Sequence, residues 1–277
     1  MVNVIAELGI NHQGDMNIMK KLITTAKDCG ANFVKGQKRE PKEYLSETQY
    51  NMPYDNDNSF GSTYGEHKEN LEFSVQQWEE LFTYSEDIGI KIFTSVFDVT
   101  SAKNMNKLGM EIFKIGSGEV TNLELLQEIK SYNKPIIIST GMSTLEEIDA
   151  AIDIFDQNDD LTLMHTTSSY PCIETDINLR ILETIRNRYN FPIGLSGHYV
   201  QGNGAIESAA LALGATWFER HFTLDRTMKG TDHAASLEDA GLIRVIKSIR
   251  SVENAMGSQE KKVLDCELPT RLKVRGY

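Results

Sequence analysis

Two lysines, Lys35 and Lys114, stand at the ends of short apolar runs, and Ser95, Ser117, Ser139 and Ser196 stand at or just beyond the ends of others. Cations and small hydroxyl donors of this kind suit a ligand with two or three negative charges, such as an enol phosphate that also carries a carboxylate. His198 and His221 end successive runs. Imidazoles on neighbouring strand ends can share one divalent metal and leave positions open for substrate oxygens, where a Lewis acid would polarise an aldehyde. Each can equally be an ordinary hydrogen-bonded histidine. Glu7 and Glu119 add carboxylates at similar positions. Glu119, just past Lys114 and Ser117, is placed for general-base work on water or a hydroxyl, with a structural ion pair to a strand-end lysine as the alternative. His165, Ser168 and Tyr170 follow a further run, and Glu219 precedes His221. Neither a GxxxxGK[ST] loop nor a GxGxxG turn occurs, so nucleotide binding lacks support.

These residues act together only if the strand ends converge. Short runs rich in Val, Ile and Phe alternate with amphipathic stretches along the chain. The pattern predicts strands over 4–8, 32–35, 91–94, 112–115, 135–139, 161–165, 192–195 and 216–221. It predicts helices over 16–29, 76–88, 100–108, 123–131, 144–155, 179–188, 204–213 and 240–256. Continuous apolar strands are those buried on both faces. Eight such units in about 250 residues predict the α/β class and a single (β/α)8 TIM barrel, whose active site gathers at the C-terminal ends of the strands. A doubly wound sheet is the structural alternative. The barrel is expected over 1–257, with 258–277 a short charged tail and no second domain. The stretch 40–74 breaks the rhythm: it is long, polar and poorly periodic, and is either functional or a surface insertion.

The chain has 277 residues, a formal net charge of −12 and 40% hydrophobic residues. That balance excludes a nucleic-acid partner, which would want a basic stripe. Cys29, Cys172 and Cys266 are too scattered for a disulfide framework or metal clip. No signal peptide or membrane-spanning run is evident, so a soluble, cytoplasmic protein is expected, with no membrane partner. A homodimer is the default assembly.

The segments AELGINHQG (6–14), VKGQ (34–37), FKIGSGE (113–119), ISTGM (138–142), HTTSSYP (165–171), GLSGH (194–198), ERHFT (219–223) and GTDHAASLE (230–238) occur in one order across nearly the whole chain. Together they resemble the sialic acid (N-acetylneuraminate) synthase family, with its legionaminic, pseudaminic and spore-coat relatives. The resemblance implies condensation of phosphoenolpyruvate with N-acetylmannosamine or a related N-acyl hexose. Phosphoenolpyruvate would lie on Lys35, Ser95, Lys114, Ser117, Ser139, Ser168 and Ser196. Mn²⁺ or Mg²⁺ would bind His198 and His221. Glu7, Gln37, Tyr170 and Asp232 would contact the sugar and its aldehyde, and Glu119 would activate water.

The sequence departs from the family pattern in Thr94-Ser95-Val96, in Gly36 and in Gly197, where many members have Asp. Family members typically carry a C-terminal antifreeze-like domain that lends an arginine to the partner's sugar site, and this chain stops before it. The 40–74 loop, or the tail with Arg271 and Arg275, is therefore expected to help close the sugar site. No extra basic patch for a phosphorylated acceptor stands out. Competing readings are a legionaminic or pseudaminic precursor or unmodified mannose as acceptor, a silent sugar-binding barrel, and an aldolase forming a Schiff base on Lys35 or Lys114.

Overall fold

A computed structural model describes residues 2–277. The strands are β1 (Asn3–Gly9), β2 (Phe33–Lys38), β3 (Lys91–Val96), β4 (Phe113–Ile115), β5 (Ile136–Ser139), β6 (Leu161–Thr166), β7 (Ile193–Gly197) and β8 (Trp217–His221). All are parallel and pair in sequence order, and β8 closes on β1 with Glu7 opposite His221. A helix follows each strand on the outside, from Met16–Asp28 after β1 to Asp239–Met256 after β8. This is the expected (β/α)8 barrel. The doubly wound alternative fails because the sheet has no edges.

Strand β2 runs three residues beyond its predicted end. The added residues are Gly36, Gln37 and Lys38: Gln37 lines the cavity while Gly36 and Lys38 take the other face, so no apolar run marked them. The opposite face of β2 packs under the helices. A Cβ on Gly36 would lie 2.6 Å from the ring of Trp78, which is fully buried, so the missing side chain makes room for the indole. Gly36→Ala is expected to destabilise the fold by roughly 1–3 kcal/mol through overpacking. Urea unfolding of the variant reads this directly, and unchanged stability would show that Trp78 can shift.

The 40–74 stretch is not unstructured. It forms three short helices, Pro41–Tyr44, Glu47–Tyr50 and Tyr64–Glu69. The last two begin with capping boxes, Ser46 with Gln49 and Thr63 with Glu66. Each box satisfies backbone donors that a one-turn helix cannot satisfy itself. Glu72 pairs with Arg39 Nε at 2.9 Å, and Gly230 N donates to Asn58 Oδ1 at 3.0 Å. The insert is thereby tied to the end of β2 and to the loop after β8.

Beyond Met256 the chain is almost entirely exposed and carries one short helix, Leu268–Arg275. Among the described residues no helix is long and apolar enough to cross a membrane.

Candidate active site

A cavity of about 400 Å³ opens at the C-terminal ends of the strands. All the predicted site residues line it except Glu119. At its floor Lys35 Nζ donates to Ser95 Oγ at 2.7 Å, and Lys114 Nζ donates to Ser139 Oγ at 2.7 Å. Lys35 also pairs with Glu7 at 2.6 Å. Glu219 Oε1 lies 3.6 Å from both ammonium groups and accepts from Ser196 Oγ at 3.2 Å. All four charges are buried. Buried charges persist only when paired and hydrogen-bonded, and each one here has an opposite charge beside it.

The two lysines differ in electrostatics. Burial alone would lower both. For Lys35 the carboxylates of Glu219 and Glu7 outweigh burial and hold it above its usual value. For Lys114 burial wins, aided by repulsion from Lys35, and pulls it to about 8. Burial raises Glu219, but Lys114 and Lys35 outweigh that and bring it to about 2.

Beside this floor the loops after β4, β5 and β6 bring hydroxyls together. Gly141 N donates to Ser117 Oγ at 3.0 Å. A Cβ at Gly141 would sit 2.4 Å from Ser168 Oγ and 2.8 Å from Ser117 Oγ, so the glycine lets the two serines converge. On the far side Tyr170 stacks on His198, with ring centroids 4.0 Å apart, and its hydroxyl lies 3.1 Å from Nε2. His198 Nδ1 lies 2.8 Å from the Thr167 carbonyl, which accepts its N–H and leaves Nε2 as the lone-pair nitrogen. Burial, with repulsion from His221, lowers His198 to about 3 and keeps it neutral. The His221 ring is 5.3 Å from that of His198, and its buried Nδ1 has no hydrogen bond and lies 3.6 Å from Asp232 Oδ2.

Two neighbouring imidazoles, one fixed neutral by its tautomer and the other with an orphaned nitrogen, fit a divalent cation with open coordination positions. No group of three or more His, Cys, Asp or Glu that could hold a metal occurs among the described residues, so a cation here would take its remaining ligands from substrate and solvent.

Glu119 is the one predicted site residue absent from the cavity lining. It ends the turn Ser117–Glu119, and its Oε2 accepts from Asn122 Nδ2 at 3.0 Å rather than facing the cavity. Burial raises its carboxyl above the usual range. The expected tail contribution is also corrected: no residue of 258–277 lines the cavity, whereas Tyr44, Tyr64 and Lys68 of the insert do. His165 is structural, its Nε2 lying 2.5 Å from the Ile177 carbonyl.

Sequence reasoning assigned no role to Glu219, Arg39 or Lys68. Arg39 was within reach, because Lys35, Gln37 and Arg39 share one face at the strand period of two. Lys68 was signalled only by the capping box that starts its helix.

The NeuB family matches residues 22–261. The chain belongs to the NeuB family of sialic acid synthases. N-acetylneuraminate-9-phosphate synthase of Mus musculus is 40% identical over 267 residues, covering 96% of this chain and 74% of that protein. N,N'-diacetyllegionaminic acid synthase of Campylobacter jejuni is 39% identical, covering 95% and 80%. The crystal structure of N-acetylneuraminic acid synthetase from Leptospira borgpetersenii superposes with a TM-score of 0.84 at 30% identity, covering 99% of this chain and 92% of that one. This NeuB family member is accordingly a synthase-type enzyme, and its barrel is the family's barrel.

Proposed function

We propose that the chain joins phosphoenolpyruvate to the aldehyde of an open-chain N-acyl amino sugar, with water, to give a nonulosonic acid and phosphate. The carrying observation is the floor: two buried lysines, each hydrogen-bonded to a strand-end serine, beside two clustered imidazoles. Phosphoenolpyruvate would take its place on Lys35 and Lys114, with the convergent Ser117 and Ser168 hydroxyls as further donors. Such a fixed set orients the enol and stabilises charge as it develops. The enol carbon forms the new bond to the aldehyde carbon, whose oxygen takes a proton. Water adds to the former enol C2 and loses a proton, and the C–O bond to phosphate then breaks as the new C2 hydroxyl becomes a carbonyl and its proton leaves with the phosphate. We assign the water's proton to Glu119, which must turn from Asn122 to receive it. Glu7 and Asp232 face the sugar, and Gln37 is fixed by donating to Glu7 Oε1 at 3.0 Å. Mn²⁺ or Mg²⁺ would be held by His198 and His221 and, when bound, would supply Lewis-acid polarisation of the aldehyde.

The test is phosphate release from phosphoenolpyruvate against N-acylhexosamines, their phosphate esters, diacetylated legionaminic and pseudaminic precursors, and mannose. Each is assayed with Mn²⁺ and with EDTA. Release that needs both one acceptor and metal is the expected result. A folded sample that binds phosphoenolpyruvate yet releases phosphate with no acceptor would leave a sugar-binding barrel in its place.

A further inference from the structure

The floor lysines are used by the proposed reaction, but two further cations line the same cavity without a role in it. Arg39 stands just past β2, and Lys68 stands on the insert helix Tyr64–Glu69. Arg39 is firmly held. Its Nε meets Glu72 at 2.9 Å, its guanidinium lies 4.3 Å from the Phe97 ring centre, and a terminal nitrogen donates to Gln37. Lys68 is not held in that way. Among the described residues it makes no ion pair, and its Nζ rests 5.0 Å from the centre of the Tyr64 ring. Burial, then repulsion from Arg39, lowers it to about 8. The nearby carboxylates are committed elsewhere: Glu72 to Arg39 and Lys38, and Asp232 to Thr231 and the His221 side.

The cavity thus has two electrostatic ends. Lys35 and Lys114 answer to Glu7 and Glu219, whereas Lys68 answers to Arg39, Asp232 and Glu72. Gln37 joins the ends, accepting from Arg39 and donating to Glu7. A half-buried ammonium with no ion pair, in the same lining as a second cation, favours the arrival of an anion. An acceptor whose aldehyde meets the enol points its terminal hydroxyl away from the reacting carbon. A phosphate ester on that hydroxyl is a dianion, for which Lys68 offers an ammonium without an ion pair and Arg39 a fixed guanidinium in the same lining.

We infer that Lys68 and Arg39 form a second anion subsite, and that the acceptor is a terminal phosphate monoester of the sugar rather than the neutral sugar. This rests on the reading that phosphoenolpyruvate occupies the lysine floor.

Titration calorimetry without phosphoenolpyruvate tests the subsite directly, comparing an N-acylhexosamine with its 6-phosphate. The phosphate ester is expected to bind at least about tenfold more tightly, with that advantage falling about tenfold in Lys68→Met and largely kept in Lys68→Arg. Equal binding of the two sugars by the unmodified chain overturns the subsite, whatever the variants do. So does an advantage that survives in Lys68→Met, because the ester is then held at the floor. Phosphate release with the same two sugars separates the two readings. Lys68-dependent binding without turnover of either sugar supports the subsite and counts against the synthase reading alone. Turnover of the neutral sugar in preference to its ester sinks the subsite and keeps the synthase.

Discussion

Glu219→Gln is expected to lower the free energy of unfolding by about 3–5 kcal/mol, the range found when one partner of a buried ion cluster is removed. Glu219 is buried and lies 3.6 Å from both Lys35 and Lys114. Glutamine keeps the shape and the acceptor for Ser196 but removes the only carboxylate within ion-pair distance of Lys114 among the described residues. Two ammonium groups then face each other with Glu7 alone to offset them. Urea unfolding at neutral pH measures the loss. The same substitution changes the response to ligand. An external anion replaces the missing internal one, so inorganic phosphate or phosphoenolpyruvate should raise the melting temperature of the variant more than that of the parent. A variant as stable as the parent, with an equal ligand response, would show that the lysines are neutral in the free protein.

The second large effect concerns Lys114. With its ammonium pulled to about 8, it is charged below that pH and neutral above it. Phosphoenolpyruvate gains a charge-assisted hydrogen bond only from the charged form. The value of kcat/KM for phosphoenolpyruvate, which reports ionisations of the free enzyme, should therefore fall as pH rises through about 8. The kcat profile should lack that limb, because bound substrate anion keeps the proton on. Lys114→Met should lower kcat/KM by about a thousandfold, on the scale of losing a charged donor aimed at the reacting group, and should abolish the limb. Lys35, held above its usual value by Glu219 and Glu7, contributes no limb in this range. Steady-state rates from pH 6 to 10 decide it, and a limb that persists in Lys114→Met assigns the ionisation elsewhere.

The barrel was legible because its strands are covered on both sides and so read as unbroken apolar runs. The floor was legible because polar residues ending such runs have few structural reasons to be there. Legibility stopped where periodicity stopped. Tyr44, Tyr64 and Lys68 lie in a stretch held by capping boxes and by ties from Glu72 to Arg39 and from Asn58 to Gly230, and such ties leave no repeat to follow. Glu219 was visible as a strand-end carboxylate, but its service to both lysines follows from closure of the sheet, which places β8 beside β1. The orientation of Glu119 toward Asn122 was not legible, because a position just past a strand says nothing of which way a turn carries the side chain.

Closure also sets when the protein can become active during its synthesis. Glu7 and His221 face each other across the β1–β8 seam, and Val2 is tied to the last barrel helix through Glu253 and Arg250. The first strand to leave the ribosome thus waits for the last one. Until β8 emerges, β1 has an open edge, and the carboxylate of Glu7 has no histidine beside it. Half a barrel presents the exposed edges that chaperones and proteases recognise, and it holds half a site. Chemistry and completion of the fold arrive in the same step.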